Sequence, residues 1–460
     1  MGKNDYITAI EISSSKISGT VGIKTYEGIK ILAAASTPVT GFISKGVVRN
    51  VDETSNAINY IINSLENSLD NVAIKRAYIS LAGLTVHSIR SKVTRNFDSY
   101  TKITPDIVNE MAEENDTTFC PPEGYTRVRA LSQEYKLDGK IDKNPIGAPT
   151  RNIEGNYLNI VIKDQYLQQL NDSFRQADIE IEDSFCAARM DADIILPTDA
   201  RRNGCALVNI GAETTTIAIY NNDMMRNLVV LPLGSNNITM DLCSAQISID
   251  EAEEIKITRG YKSQGNDYAP IDTDTINNII NARMNEILQN VKYQIENFKE
   301  KINHLIFTGG GSKLKNLELL FDEYLPNFKC EIISEPQFSL VSSDNVNIYG
   351  IFSTALYSLL KQGSVNCCEE LKPATPPAPA EQTTIQFDDP NEENHDEEYS
   401  PKEIKEDNQK TDTVKKKSKG AKTNKDHGWV DTLFGRIGEA TKSLVKEMTS
   451  DDGVDNNDDE

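Results

Sequence analysis

The chain is 460 residues long, and its 48 Lys and Arg residues are outnumbered by 70 Asp and Glu residues, which gives a formal net charge of −22. This length allows a large buried core without help from disulfides or metal ions. The negative charge argues against a general nucleic-acid-binding protein, because contacts to phosphates need a basic surface.

The cysteines and the first residues indicate a reduced, cytoplasmic protein. The seven cysteines are an odd set without a CxxC pair, and the start Met-Gly-Lys-Asn-Asp-Tyr lacks the apolar stretch of a signal peptide. No run of the sequence approaches the roughly 18 apolar residues of a membrane span. We therefore expect a chain that does not cross a membrane.

Residues 1–363 alternate between predicted strands and helices, and the pattern occurs twice. In the first half the predicted elements are strands over 6–12, 17–23 and 72–81 and a helix after the N-cap Asp52. In the second half they are strands over 205–210, 215–220, 228–233 and 304–307 and helices at about 238–244, 249–259, 273–298 and 351–360. Two similar α/β halves are therefore predicted.

The composition changes sharply near Gly363. From Pro373 to about His427 the chain is rich in Pro, Glu, Asp and Lys and has almost no large apolar residues. Such a segment cannot bury enough surface to offset its chain entropy. We predict a disordered linker over 364–427, with a solvated acidic first half and a solvated basic second half.

Three turns rich in glycine or hydroxyl residues could carry the chemistry. Turn 1 (residues 11–16) could hold an anion on its amides and hydroxyls, while a carboxylate at the strand end holds hydrated Mg²⁺. Turn 2 (209–216) offers a small-residue backbone and three hydroxyls. Turn 3 (308–312) has three glycines, which let a backbone approach a flat ligand closely. Taken separately, each is also explained as an ordinary hairpin or a flexible loop.

The order and spacing of the three turns match the phosphate 1, phosphate 2 and adenosine motifs of the actin, hexokinase and Hsp70 superfamily. More narrowly, three further segments resemble the FtsA family of actin-like bacterial cell-division proteins. They are residues 41–48 (GFISKGVV), similar to G-I-x-x-G-x-V; 233–241 (LGSNNITMD), similar to G-G-x-x-I-T-x-D; and 252–256 (AEEIK), similar to A-E-x-x-K. The resemblance covers most of 6–362.

The resemblance implies a site for ATP and Mg²⁺ between two lobes. It assigns Glu11, through water, to the metal ion. The residues that it assigns to the nucleotide are Glu11, Ser13, Ser14, Ser15, Lys16, Asn209, Gly211, Ala212, Glu213, Thr214, Thr215, Gly234, Glu253, Lys256, Gly309, Gly310, Gly311 and Ser312.

Residues 83–162 resemble the small subdomain, called 1C, that distinguishes FtsA from other actin relatives. The matching pieces are residues 121–124 (PPEG), 133–139 (QEYKLDG), 145–147 (PIG) and 151–154 (RNIE). A generic small α+β insert is the open alternative. The resemblance divides the rest into subdomain 1A (1–82 and 163–204) and a second lobe over 205–363, which comprises 2A with a short 2B.

Turns 1 and 2 depart from the family pattern, which usually has Asp and Gly in the first motif and Asp with three glycines in the second. Glu213 stands near the expected β- and γ-phosphates, where it would repel phosphate unless it turns away or takes over at the metal. We therefore predict nucleotide binding with weak or absent hydrolysis. The departing positions are Glu11 and Ser13 in turn 1 and Asn209, Ala212 and Glu213 in turn 2.

Residues 428–448 have the pattern of an amphipathic helix and precede an acidic tail over 449–460. A helix docked on the protein or on a partner is the alternative, but a linker on one side and the tail on the other favour a membrane surface. One copy should bind weakly, and several copies on a filament would bind together. The apolar residues are Trp429, Val430, Leu433, Phe434, Ile437, Leu444, Val445 and Met448.

Together with the FtsA resemblance, these features predict an actin-like two-lobed α/β protein that binds ATP, self-associates into filaments and tethers the division ring. The implied location is the cytoplasmic face of the bacterial inner membrane, at the division septum. The implied partners are the FtsZ C-terminal peptide, membrane lipid and other division proteins, with Arg283, at the arginine of the family's I-I-x-x-R helix, as the candidate FtsZ contact.

Two other classes stay open at this point. A small-molecule kinase of the hexokinase type would need a catalytic Asp aimed at a substrate hydroxyl, and it would not need the terminal helix. A pilus-assembly adaptor of the same superfamily would lack that helix.

Overall fold

The computed structural model describes residues 5–371 of the chain, except 70, 262–270, 299, 334–337, 342–345, 347 and 349. Most of the predicted linker (364–427), the predicted membrane helix (428–448) and the predicted acidic tail (449–460) lie outside the described residues. No helix within the described ranges combines the length and the apolar character that crossing a bilayer requires.

Strands and helices alternate along the described chain. The strands are β1 (Ile7–Ile12), β2 (Lys16–Thr25), β3 (Gly28–Pro38), β4 (Ile43–Ser44), β5 (Val47–Val48), β6 (Val72–Ile74), β7 (Arg76–Leu81), β8 (His87–Lys102), β9 (Tyr125–Leu137), β10 (Lys140–Asp142), β11 (Pro149–Lys163), β12 (Glu180–Cys186), β13 (Cys205–Ile210), β14 (Thr215–Asn221), β15 (Met224–Leu231), β16 (His304–Thr308), β17 (Lys329–Ile332), β18 (Leu340–Val341) and β19 (Cys368–Glu370). The α-helices are α1 (Val51–Glu66), α2 (Pro105–Thr118), α3 (Asp164–Gln176), α4 (Ala187–Ile195), α5 (Thr198–Asn203), α6 (Asn236–Cys243), α7 (Ile249–Arg259), α8 (Thr273–Glu296), α9 (Glu318–Tyr324) and α10 (Thr354–Gln362).

Two larger sheets share one strand plan. The first has the order β12-β7-β1-β2-β3-β18, and the second has the order β17-β16-β13-β14-β15. In each sheet an antiparallel three-stranded meander continues, beyond its first strand, into two parallel strands. The two similar α/β halves predicted from the sequence are confirmed. Turn 1 and turn 2 therefore close equivalent hairpins, β1–β2 and β13–β14.

The second sheet is buried on both faces, and its strands show why. In β13 the side chains of Ala206, Val208 and Ile210 face the core formed with helices α6 to α9, while Cys205 and Leu207 face a different core. This alternation is the period of two that a strand imposes on its side chains. The other core includes residues of α4 and β11, so the second sheet lies between two layers.

The first sheet shares a core with helices α1, α3 and α10. In α1 the predicted apolar positions 58, 61, 62 and 65 are all buried. The predicted N-cap Asp52 is wrong: the helix begins at Val51, and the Asn50 side chain accepts a hydrogen bond from the Glu53 N–H at 3.1 Å. Asp52 lies in the first turn instead, where a negatively charged carboxylate interacts favourably with the helix dipole.

Residues 87–163 form a separate four-stranded antiparallel sheet, with the order β10-β9-β11-β8 and with α2 packed on it. It is inserted between β7 and β12 of the first sheet. This is the segment that resembles subdomain 1C, and its assignment to that subdomain stays a prediction. The buried guanidinium of Arg226 in β15 forms an ion pair with Glu134 of this sheet and thereby joins it to the second lobe.

The chain returns to the first lobe after β17, and this corrects two predicted boundaries. Strand β18 pairs with β3, and Leu356, Leu359 and Leu360 of α10 belong to the first core, so the second lobe does not extend to 363. Residues 364–371 do not begin a linker, because β19 pairs with β6 and Cys367 is buried. The sequence boundary followed composition, which does not reveal pairing between distant segments.

Candidate nucleotide site

Turn 2 and turn 3 lie side by side at one edge of the second sheet. They follow β13 and β16, which are parallel neighbours, and Asn209 is directly opposite Thr308 in the register. The carboxyl ends of adjacent parallel strands are the usual place for a ligand in an α/β sheet. The structure therefore brings together two of the three predicted turns in an arrangement that could hold one ligand.

Only one glycine of turn 3 presents an open backbone. A Cβ on Gly309 would lie 2.3 Å from Asn209 Oδ1, and a Cβ on Gly311 would lie 2.4 Å from Ile210 Cγ2, so both glycines are required by contact with turn 2. A Cβ on Gly310 would meet no described atom within 4 Å. The buried Ser312 hydroxyl donates to the Gly309 carbonyl at 2.8 Å, which fixes the turn.

Turn 2 is held by the segment around Gly234. The Ser235 N–H donates to Gly211 O at 2.9 Å and the Asn236 N–H to Ala212 O at 2.7 Å. A Cβ on Gly234 would lie 2.5 Å from Ala212 O, so this predicted nucleotide residue is explained by close backbone packing. Two further hydrogen bonds fix the turn: Gly211 N donates to Thr214 O, and Thr215 Oγ1 donates to Leu233 O.

Turn 1 makes most of its contacts within the first lobe. The Ser13 hydroxyl donates to Lys16 O at 2.8 Å, and Ser15 Oγ lies 3.4 Å from Ser13 Oγ. Lys16 Nζ donates to Gly350 O at 2.5 Å, in the loop before α10. The Ser14 hydroxyl accepts from the Gly46 N–H at 2.7 Å. Anion binding by the Lys16 side chain would therefore require it to leave its carbonyl partner.

Glu253 and Lys256 form one cluster with Thr239, between helices α6 and α7. Lys256 Nζ, which is buried, lies 2.7 Å from Glu253 Oε2 and 3.0 Å from Thr239 Oγ1. It also donates to Ser235 O at 3.4 Å, next to Gly234. The structure thus brings two predicted nucleotide residues together and connects them to the segment that supports turn 2.

A buried carboxylate that the sequence did not reveal lies beside Asn209. Asp191 of α4 is 5% exposed, and its Oδ2 is 3.5 Å from Asn209 Nδ2. Its Oδ1 has no hydrogen-bond partner among the described residues. Burial and the negative charge of Glu11 raise the pKa of Asp191 to about 8. The sequence does carry a signal: in α4 (AARMDADII) Asp191 stands between Met190 and Ala192, at a position where an acidic side chain is unusual in a buried helix.

Glu11 is the second carboxylate of this region. Burial raises its pKa, although the Ser353 hydroxyl, which donates to Glu11 Oε2 at 2.5 Å, and the charge of Lys16 act in the opposite direction. A divalent cation would stabilise both carboxylates in their ionised form, and carboxylate oxygens are ligands that Mg²⁺ prefers. The orphaned Asp191 oxygen therefore fits the cation that the resemblance implies. In the described part of the chain, no group of three or more His, Cys, Asp or Glu residues could hold a metal ion.

Glu213 contacts the first lobe. Its Oε2 accepts a hydrogen bond of 2.5 Å from the Lys45 N–H, in the loop between β4 and β5. This contact crosses from turn 2 to the first lobe, close to the Gly46 amide that binds Ser14.

Arg283, the predicted partner contact, lies in an internal ion pair. Its guanidinium donates to both carboxylate oxygens of Asp241 and also contacts Glu286. Its role towards a partner stays a prediction.

The matches found among known proteins share one description. A family model described as cell division protein FtsA matches residues 206–343. The chain is 26% identical over 335 residues to cell division protein FtsA of Porphyromonas gingivalis, which covers 68% of this chain and 69% of that protein. It is 24% identical over 348 residues to cell division protein FtsA of Buchnera aphidicola, which covers 68% of this chain and 80% of that protein.

A solved structure supports the fold. The PilM-PilN type IV pilus biogenesis complex superposes with a TM-score of 0.55 over 77% of this chain and 98% of that chain, at 17% sequence identity. At this identity the likeness shows the fold alone. The actin-like two-lobed α/β fold expected from the sequence is confirmed.

Proposed function

We propose that the chain is a member of the FtsA family of cell-division proteins, to which it is similar, and that it binds ATP with Mg²⁺ between its lobes, self-associates into actin-like filaments and tethers the FtsZ ring to the cytoplasmic membrane. A role in cell division follows from the family. The ligands, the filament and the membrane attachment are proposals that rest on the site and on the sequence.

The open backbone at Gly310, beside turn 2 and the orphaned carboxylate of Asp191, is the observation that carries the nucleotide proposal. In this site Gly310 would lie against the adenosine, while the amides of turns 1 and 2 would face the phosphates. Glu11 and Asp191 would hold the Mg²⁺, directly or through water. When bound, the ion supplies positive charge that balances the phosphates.

Slow turnover is part of the proposal. Asn209 places an amide where the family usually has an Asp, so one metal-facing charge is missing from turn 2. Asp191 is hydrogen-bonded to that amide, and burial favours its neutral form. A protonated carboxyl group is a poor general base. We therefore expect ATP hydrolysis to be slower than the turnover of a metabolic kinase, which is roughly 10 s⁻¹.

Calorimetric titration of the full chain with ATP tests the nucleotide site. We expect saturable binding with MgCl₂ and weaker binding with EDTA in its place. An absence of binding at millimolar ATP in both buffers would overturn this part of the proposal. Release of phosphate, measured on the same samples, should stay far below the kinase range.

The membrane part rests on residues 428–448, which lie outside the described residues. The stripe of eight apolar side chains is the basis, since the three basic and three acidic residues of the segment cancel. Co-sedimentation with anionic vesicles should therefore require residues 428–460. Replacing Trp429 and Phe434 together with Asp should release the chain at any salt concentration. Vesicle binding by that double variant would indicate a partner-docking helix instead.

The FtsZ part rests on the family alone. Fluorescence anisotropy with the labelled FtsZ C-terminal peptide would test it, with Arg283 as the candidate contact.

Of the two other classes, the pilus adaptor has only a likeness of fold, and the kinase would need a carboxylate that reaches a substrate hydroxyl. Asp191 does not meet that need, because it is hydrogen-bonded to Asn209 and burial favours its neutral form, which is a poor general base.

A further inference from the structure

The Glu213 carboxylate joins turn 2 to turn 1 through the backbone of the β4–β5 loop. The Lys45 N–H donates to Glu213 Oε2 at 2.5 Å. The next amide, that of Gly46, donates to the Ser14 hydroxyl at 2.7 Å. Two successive amides of the first lobe thus contact the two turns that the proposed nucleotide site assigns to phosphates.

The loop that carries these amides is firmly fixed. Lys45 and Gly46 both have left-handed backbones, with φ of 53° and 70°. The Lys45 carbonyl accepts from the Leu84 N–H at 3.0 Å, and a Cβ on Gly46 would lie 2.7 Å from the Gly83 Cα. Successive amides in a turn form a concave surface that binds anions. In this protein the anion at the Lys45 amide is a carboxylate from the opposite lobe.

We infer that the Glu213 carboxylate competes with the terminal phosphates of the nucleotide for the space between turn 1 and turn 2. This inference rests on the proposed nucleotide site. The carboxylate occupies the Lys45 amide and adds negative charge between turn 1 and turn 2, where two negative groups close together are unfavourable. ATP brings more charge to this place than ADP, and adenosine brings none. Glu213 therefore weakens ATP binding most and leaves adenosine binding unchanged.

Three variants of the full chain separate charge from contact. Glu213→Gln keeps an acceptor for the Lys45 amide without the charge, Glu213→Ala removes both, and Glu27→Gln removes an exposed charge in the β2–β3 turn as a control. In titrations with Mg²⁺ and ATP we expect about tenfold tighter binding for both Glu213 variants. The gain should be smaller for ADP and absent for adenosine and for the control.

Two results would overturn the inference while the nucleotide site stands. One is equal ATP affinity in the wild-type chain and both Glu213 variants. The other is an equal gain for adenosine, which would indicate a change of cleft shape and not of charge. If no form of the chain binds any nucleotide, the proposed site fails, and the competition fails with it.

Hydrogen exchange of the nucleotide-free protein tests the contact separately. The Lys45 amide should exchange slowly in the wild-type chain and in Glu213→Gln, and faster in Glu213→Ala. Thermal unfolding of the same variants shows whether each is folded. Equal Lys45 exchange in all three folded proteins would show that Glu213 does not hold this amide in solution and would also overturn the inference.

Discussion

Arg283 and Asp241 form a two-point ion pair, with Arg283 Nε 2.7 Å from Asp241 Oδ2 and Arg283 Nη2 2.9 Å from Asp241 Oδ1. The side chains are only 10% and 13% exposed. The pair joins α8 to α6, and Glu286 contacts the same guanidinium. An arginine in this environment stabilises the second lobe whether or not it also contacts a partner.

The first prediction is that Arg283→Ala destabilises the protein. Removing one partner of a buried ion pair leaves an uncompensated charge and costs about 3–5 kcal/mol. Urea unfolding at pH 7 measures this loss. Arg175→Ala is the matched control, because Arg175 is 81% exposed and pairs with Asp172 at the surface, so about 1 kcal/mol or less is expected. Equal urea midpoints for the two variants would contradict the prediction. Peptide-binding assays on Arg283 variants need the same unfolding measurement, because a loss of binding could come from a loss of stability.

The second prediction contrasts two neighbouring glycines of turn 3. Gly309 has φ of 89° and no room for a Cβ, so Gly309→Ala should destabilise the fold by about 1–3 kcal/mol. Gly310 faces open space, so Gly310→Leu should leave the fold intact and block ATP by steric overlap. Thermal unfolding and ATP titration of both variants check this. Unchanged ATP affinity in Gly310→Leu would remove the adenosine assignment.

Local patterns in the sequence predicted the parts of the fold that depend on neighbouring residues. The hairpins at turn 1 and turn 2 and the apolar face of α1 follow from periodicity and turn residues. The N-cap was misplaced by two residues because Asn50 and Asp52 both suit a cap. Which of them caps the helix depends on where the preceding chain turns, and that is set by tertiary contacts.

Contacts between distant segments were not visible in the sequence. The composition near Gly363 indicated that the folded region ends there, but strand β19 lies beyond it and pairs with β6. Helix α10 was assigned to the second lobe, but it packs on the first sheet. For the candidate site, the glycine spacing predicted turns 2 and 3, while Asp191 was missed. Its importance depends on Asn209 and Glu11, which reach it from other elements.

The third prediction concerns the ion pair that joins the small sheet to the second lobe. Burial alone would raise the pKa of Glu134, but the hydrogen bond and charge of Arg226 outweigh it and hold that pKa below its ordinary 4.5. A lowered pKa contributes stability that is present above pH 4.5 and is lost as the pH falls through the folded value. Glu134→Gln should therefore lose about 1–3 kcal/mol at pH 7.

Denaturant unfolding between pH 7 and pH 4 tests this dependence. The difference between wild type and Glu134→Gln should shrink as the pH falls below 4.5. Glu110→Gln is the control, because Glu110 forms a similar pair with Arg95 but is 58% exposed. A constant difference across the whole range would show that the pKa of Glu134 is the same in the folded and the unfolded chain, which contradicts the prediction.

The fourth prediction is that the stability of Asp191→Asn, relative to wild type, increases as the pH rises. Asp191 has a pKa of about 8 in the folded chain and an ordinary value of 3.8. The folded state therefore holds a proton that the unfolded state releases, and the wild-type chain loses stability between pH 4 and pH 8. Each pKa unit of that shift corresponds to about 1.4 kcal/mol. The neutral Asn side chain removes this loss.

Urea unfolding at pH 6 and pH 8, with and without MgCl₂, measures both consequences of this carboxylate. Relative to wild type, Asp191→Asn should gain stability from pH 6 to pH 8 in the absence of Mg²⁺. Added Mg²⁺ should stabilise the wild-type chain more at pH 8, where Asp191 ionises more readily, and should have less effect on the variant. Asp193→Asn is the control, because Asp193 lies on the same helix but is half-exposed and paired with Arg201. If both variants respond alike to pH and to Mg²⁺, Asp191 has no special role at the proposed metal site.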